Sequence, residues 1–128
     1  MATYLFEDES HAAVRAQVKR FAQLQVAPNA NAWEEAEEFP RELYGSAGQA
    51  GILGIGYPEA VGGAGGDLSH VVVACDEMIR TGQTVGTAVG LGSHGIALPP
   101  IVHAGTDEQR QRWVAPTLAG RMIAALAT

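Results

Sequence analysis

The stretch FPRELYGSAGQAGILGIGYPEAVGGAGGD, residues 39–67, confines this chain more than any other. Phe39-Pro40 reads as a helix entrance, because proline tolerates the first helical position, where its missing N–H is no loss. Leu43, Ala47 and Ala50 then share one apolar face. Gly51 ends the helix, since a left-handed C-cap favours a residue without a Cβ. Ile52-Leu53-Gly54-Ile55-Gly56 is too apolar for a surface loop, so it is expected to be buried chain crossing under a helical bundle. Pro58 with Gly62, Gly63, Gly65 and Gly66 predicts a tight irregular turn, and Asp67 is placed to cap the helix that follows.

Around this stretch the pattern is helical. Val14, Val18, Phe21 and Ala22 fall at helical spacing within residues 10–27, with Glu7, Asp8 and Glu9 where the helix dipole favours negative charge. Pro28 ends this helix or starts the next. Residues 30–38 predict a second helix anchored by Trp33, with Glu34, Glu35, Glu37 and Glu38 as a solvated face. Residues 68–80 read as a buried helix whose core face is Leu68, Val72, Cys75 and Ile79, widened by Val71 and Met78 and closed by Gly82. Residues 84–98, rich in glycine and small side chains, read as a helix with close neighbours. Pro99-Pro100 is expected to interrupt it. Thr106 caps a last helix over residues 107–118. The apolar run from Met122 to Ala127 reads as a strand, the one strand candidate in the sequence.

The bulk numbers narrow the function. A length of 128 residues suits one domain, and 47% apolar content is enough for a core. A net charge of −6 argues against nucleic acid or an anionic membrane as partner. One cysteine, Cys75, excludes an internal disulfide and fits a reducing compartment. No uninterrupted apolar run reaches the length of a membrane span. The N-terminus has no basic segment followed by an apolar one, so a cytoplasmic location is expected. His11, His70, His94 and His103 are far apart in sequence, and no metal site is expected. His94 is read as a packing or capping histidine and Cys75 as a core residue. Asp76 and Glu77, being adjacent, are expected to point to different faces. Ser46, Ser69 and Ser93 lack the context of a nucleophile. Gly90-Leu91-Gly92-Ser93-His94-Gly95 matches a dinucleotide-binding pattern, but no strand precedes it and two prolines follow at once.

In order along the chain, the 39–67 stretch, then CDEMIRTGQTVGTAVGLGSHGIALPPIVHAGTDEQRQRWVAPTLAGR, closely resembles acyl-CoA dehydrogenases. The resemblance implies an all-α, N-terminal helical-bundle domain over residues 1–121. Residues 122–128 would then be the first strand of a middle β-domain. It implies FAD as cofactor and α,β-dehydrogenation of an acyl-CoA thioester in fatty acid metabolism, with hydride passing to the flavin. It places Ala125, Leu126, Ala127 and Thr128 near the isoalloxazine ring, although the family often has an aromatic where this chain has Ala125. It makes Ala88, Val89, Gly92 and Ile96 candidate walls of the acyl pocket. The catalytic Glu of the family lies beyond Thr128, so no residue here takes that role, and the 128 residues alone are expected to be inactive. Electron-transfer flavoprotein or a similar acceptor, and a homotetramer or dimer, are the implied partners. An oxidase or monooxygenase of the same fold, or a non-catalytic helical interaction domain, are the alternatives.

Overall fold

Asp8 starts the first helix. Its carboxylate accepts from the Ser10 N–H at 2.8 Å, and the Asp8 N–H donates to His11 Nδ1 at 3.1 Å. Helix α1, Glu9–Phe21, follows in the computed structural model, which describes residues 3–128. The first two residues of the expected 1–121 domain lie outside that range. The rod does not stop at Pro28. It passes through a π turn, Ala22–Val26, and a 3-10 turn, Ala27–Asn29, into α2, Ala30–Ala36. Pro28 is tolerated because it sits in the first turn of the 3-10 segment, where its absent N–H is not needed. The glutamates of 34–38 are exposed, as expected, while Trp33 packs on the core.

Helix α3, Glu42–Gln49, ends at Gly51, whose φ of 75° is the left-handed conformation expected of it. Leu53 and Ile55 are then buried, so the apolar turn does cross under the bundle. A single bridge pairs Ile55 with Gly65, and the described residues contain no strand. Asp67 caps α4, Leu68–Gly82, accepting from the Ser69 N–H at 2.8 Å. Gly82 remains helical, and Gln83 takes the left-handed C-cap. Helices α5, Val85–Leu91, and α6, His94–Ala104, are separated by the Gly92-Ser93 turn. Short α7, Asp107–Gln109, a π turn, Arg110–Val114, and α8, Ala115–Leu118, complete the chain. One cluster, including Val18, Phe21, Leu43, Leu53, Met78 and Leu91, forms the main core. A smaller one joins Leu98, Val114 and Leu118.

Five expectations are corrected. The core face of α4 is Val73, Met78 and Gly82, not Leu68, Val72, Cys75 and Ile79. Leu68, Val71, Val72 and Cys75 are exposed and Ile79 is half-buried. The rotation follows from Asp76 and Glu77, which sit beside Val73 and both accept from Arg15 Nη1 of α1, at 2.9 and 3.1 Å. Adjacent on α4, they converge on one guanidinium instead of parting. Pro99 and Pro100 lie inside α6. The carbonyls their missing N–H groups leave free belong to Gly95 and Ile96, which are on the exposed side of the helix. Residues 85–104 together are long and apolar enough, by length and composition, to cross a bilayer, against the sequence expectation. One face of this segment, Thr87, Leu91, His94 and Leu98, packs into the bundle. Last, residues 122–128 form neither helix nor paired strand. A lone strand has no ladder to join, because its backbone groups need a neighbouring strand.

Candidate functional site

Helix α5 begins where Thr84 accepts from the Thr87 N–H and donates its hydroxyl proton to Glu34. Its outer face carries Val85 and Val89, and the face continues across the turn through Gly92 to Ile96. These four positions, spaced 4, 3 and 4 apart, are all exposed. No Asp, Glu, Lys or Arg occurs anywhere from Val85 to Ala104. Of the candidate acyl-wall residues, Val89, Gly92 and Ile96 share this open apolar face. Ala88 is half-buried and packs inward against the main core.

The terminal segment comes to the same place. Ala124 packs on the Leu98–Val114–Leu118 cluster, and Ser93 Oγ donates to the Ala124 carbonyl at 3.2 Å. Ala125, Leu126, Ala127 and Thr128 continue outward from that point, all exposed. Among the described residues, none of their backbone N–H or C=O groups is hydrogen-bonded. One seryl hydrogen bond thus joins the candidate flavin-side segment to the turn at the middle of the candidate acyl wall. Sequence reasoning set Ser93 aside for want of a nucleophile's context. Its role is as a hydrogen-bond donor across 31 residues, which no local motif announces.

His94, next in the chain, is buried. Its Nδ1 lies 3.0 Å from the Leu91 carbonyl and its Nε2 lies 2.8 Å from the Leu53 carbonyl. Burial pushes its pKa down, and the two carbonyls oppose that without reversing it. The Tyr57 ring sits 5.7 Å from the imidazole, and burial raises the Tyr57 phenol. A groove of about 670 Å³ between α1 and α3, lined by Arg20, Leu24 and Gln49, lies apart from this site.

A second cluster forms where α1 and α4 begin. Asp8-Glu9-Ser10-His11 and Asp67-Leu68-Ser69-His70 repeat the order Asp-x-Ser-His. Each His Nδ1 accepts from its own cap residue's N–H, at 3.1 and 3.0 Å. Each Nε2 meets the serine of the other tetrad: His11 with Ser69 and His70 with Ser10, both at 2.8 Å. The imidazoles stack at 4.0 Å, 10° from parallel. The histidines therefore do pair in space, which their separation in sequence concealed. Ligand atoms of His11, Asp67 and His70 lie within 4.8 Å of one another. Yet parallel rings aim their in-plane lone pairs side by side and not at a common point. The cluster suits a reciprocal cap of two helices better than a metal ion. Below it, buried Arg15 binds both oxygens of Glu7, at 2.7 and 2.9 Å, as well as Asp76 and Glu77.

Residues 8–121 match the family model described as acyl-CoA dehydrogenase, N-terminal domain. The chain belongs to the acyl-CoA dehydrogenase family. It is 37% identical over 123 residues to the mouse mitochondrial long-chain specific acyl-CoA dehydrogenase, covering 96% of this chain and 28% of that protein. A Mycobacterium smegmatis protein assigned as an acyl-CoA dehydrogenase superposes with a TM-score of 0.87 at 39% identity, over 94% of this chain and 32% of its own. A glutaryl-CoA dehydrogenase from the same organism, solved in complex with FADH2, superposes with a TM-score of 0.78 at 25% identity, over 91% of this chain and 30% of its own. The chain thus spans less than a third of the length of these relatives.

Proposed function

We propose that this domain supplies one wall of the substrate and flavin site of an FAD-dependent acyl-CoA dehydrogenase. The observation that carries the proposal is the bond from Ser93, in the turn of the uncharged face Val85, Val89, Gly92 and Ile96, to the Ala124 carbonyl, from which the segment Ala125–Leu126–Ala127–Thr128 continues. An extended apolar face without a single charge suits the hydrocarbon part of an acyl-CoA and is a poor surface for a charged substrate. The free N–H groups of 125–128 and the Thr128 hydroxyl are donors fit for the carbonyl edge of an isoalloxazine, and Ala125, Leu126 and Ala127 add apolar contact. When bound, FAD accepts the hydride removed from the acyl β-carbon. The chain's own contribution is to bind and orient the acyl chain and to keep water from it. Electron-transfer flavoprotein is the proposed acceptor, a homo-oligomer the proposed assembly and the cytoplasm the proposed location.

Protein made from the entire reading frame is expected to be yellow and to bleach on addition of an acyl-CoA. Ile96→Trp is expected to lower kcat/KM for long acyl chains by about tenfold, about 1.4 kcal/mol, with much less effect on short ones. The 128-residue chain alone is expected not to bleach flavin. A colourless full-length protein, or an Ile96→Trp enzyme with an unchanged chain-length profile, would refute the assignment.

A further inference from the structure

We infer that His94 is a positioning residue of this site: its ring ties the Gly92-Ser93 turn to the buried chain at Leu53, so that Ser93 holds the 124–128 segment in place. The inference rests on the reading of 125–128 as the flavin-side segment. Leu53 and Leu91 are both buried, each 3% exposed. Among the described residues no backbone N–H outside the helices donates to either carbonyl. His94 is the side chain that reaches both. A buried carbonyl without a donor is costly, so the ring is held where it is. A neutral imidazole has one N–H. The tie to Leu53 requires that proton on Nε2. This is the bond that crosses between elements, linking the turn to a segment 41 residues away. The Tyr57 hydroxyl adds a second tie to the same turn, reaching the His94 carbonyl at 3.5 Å. Ser93 stands one residue before this anchor. Its hydroxyl reaches Ala124 only if the turn keeps its place over Leu53. Ser93, in contrast, holds no part of the core, so the two residues separate by their effects: one sets the turn, the other transmits its position.

The test compares Ser93→Ala, His94→Phe and His94→Gln in the 128-residue chain by backbone ¹⁵N relaxation, which reads the order of residues 124–126 directly and requires no flavin. Ser93→Ala is expected to leave the melting temperature unchanged and release the segment to the mobility of a free terminus. His94→Phe, which fills the space without a donor, is expected to release it as well. His94→Gln, whose amide can still donate to the Leu53 carbonyl, is expected to restore most of the order. A segment as ordered in His94→Phe as in the parent overturns the inference. Should His94→Phe fail to fold, the imidazole nitrogen shifts of the parent protein decide: a proton on Nε2 supports the tie to Leu53, and a proton on Nδ1 overturns it. A failure of flavin binding in the full-length protein, with these results intact, would strike the function of the segment and not the role of His94.

Discussion

Arg15 shows how much one side chain decides. Helical spacing makes it a polar residue among apolar ones, and nothing local marks it as buried. In the structure it is 9% exposed and binds three carboxylates from two elements. Its bond to Glu7 holds that carboxyl at about 2, well below the usual range. Burial alone would raise Asp76, but Arg80 and Arg15 hold it low. Removing the guanidinium leaves Glu7, Asp76 and Glu77 facing one another with only Arg80 nearby. Arg15→Met is therefore expected to destabilise the chain by about 3 kcal/mol, the lower end for breaking a buried ion pair. Arg15→Lys is expected to recover only part, because an ammonium cannot present a planar fork to both Glu7 oxygens. Urea denaturation measures both, and an Arg15→Met chain within 1 kcal/mol of the parent (an equilibrium constant lowered about fivefold or less) would show the cluster to be solvated.

At the level of elements, the helices and their caps were readable wherever the cause is local. Asp67, Gly51 and the apolar turn at 52–56 behave as their chemistry dictates, since a cap or a left-handed glycine needs only its immediate neighbours. The rotation of α4 was not readable. Its largest apolar stripe, Leu68–Val72–Cys75–Ile79, points outward because the ion pairs of Arg15 turn Asp76 and Glu77 toward α1. A charge network contributed from another helix overrode the hydrophobic pattern. The same holds for His11 and His70. The twice-used Asp-x-Ser-His order went unread, because the stacking of the two rings depends on α1 and α4 lying side by side. The two faces of α4 give a direct check. Val73 is fully buried and Val72 is 43% exposed. Val73→Asp is expected to lower stability by several kcal/mol, because an unpaired carboxylate is taken out of water. Val72→Asp is expected to change it by no more than about 0.5 kcal/mol, as a surface substitution does. Thermal unfolding of the pair decides. The reverse order of the two would restore the stripe read from the sequence.

For the whole molecule, the resemblance located the two candidate segments, and the fold brought them together through Ser93, a contact that sequence could not supply. The apolar faces left open on α4 and α5–α6 belong to a domain that spans less than a third of its relatives. What the isolated chain reports on its own is its dependence on pH. Burial holds His94 below its ordinary value of 6.5, so the unfolded chain binds that proton more readily than the folded one. Stability rises with pH wherever the unfolded state binds more protons. The His94 contribution is therefore complete above about 6.5 and is lost as pH falls through the lower, folded value. The carboxylates act further down. Glu7 is held near 2 by Arg15, and Asp67 near 2 by Ser69 and His70, against ordinary values of 4.5 and 3.8. Their stabilisation is present above the ordinary values and disappears between those and about 2. The melting temperature is thus expected to fall on acidification in two stages, one beginning near neutrality and one below about pH 4.5. His94→Gln should remove the part of the upper stage that belongs to this ring and leave the lower one. Glu7→Gln should shrink the lower stage and leave the upper. A pH profile of His94→Gln parallel to the parent's from pH 7 to pH 5 would mean that the folded chain protonates His94 as easily as the unfolded chain does, with both carbonyls satisfied by an imidazolium.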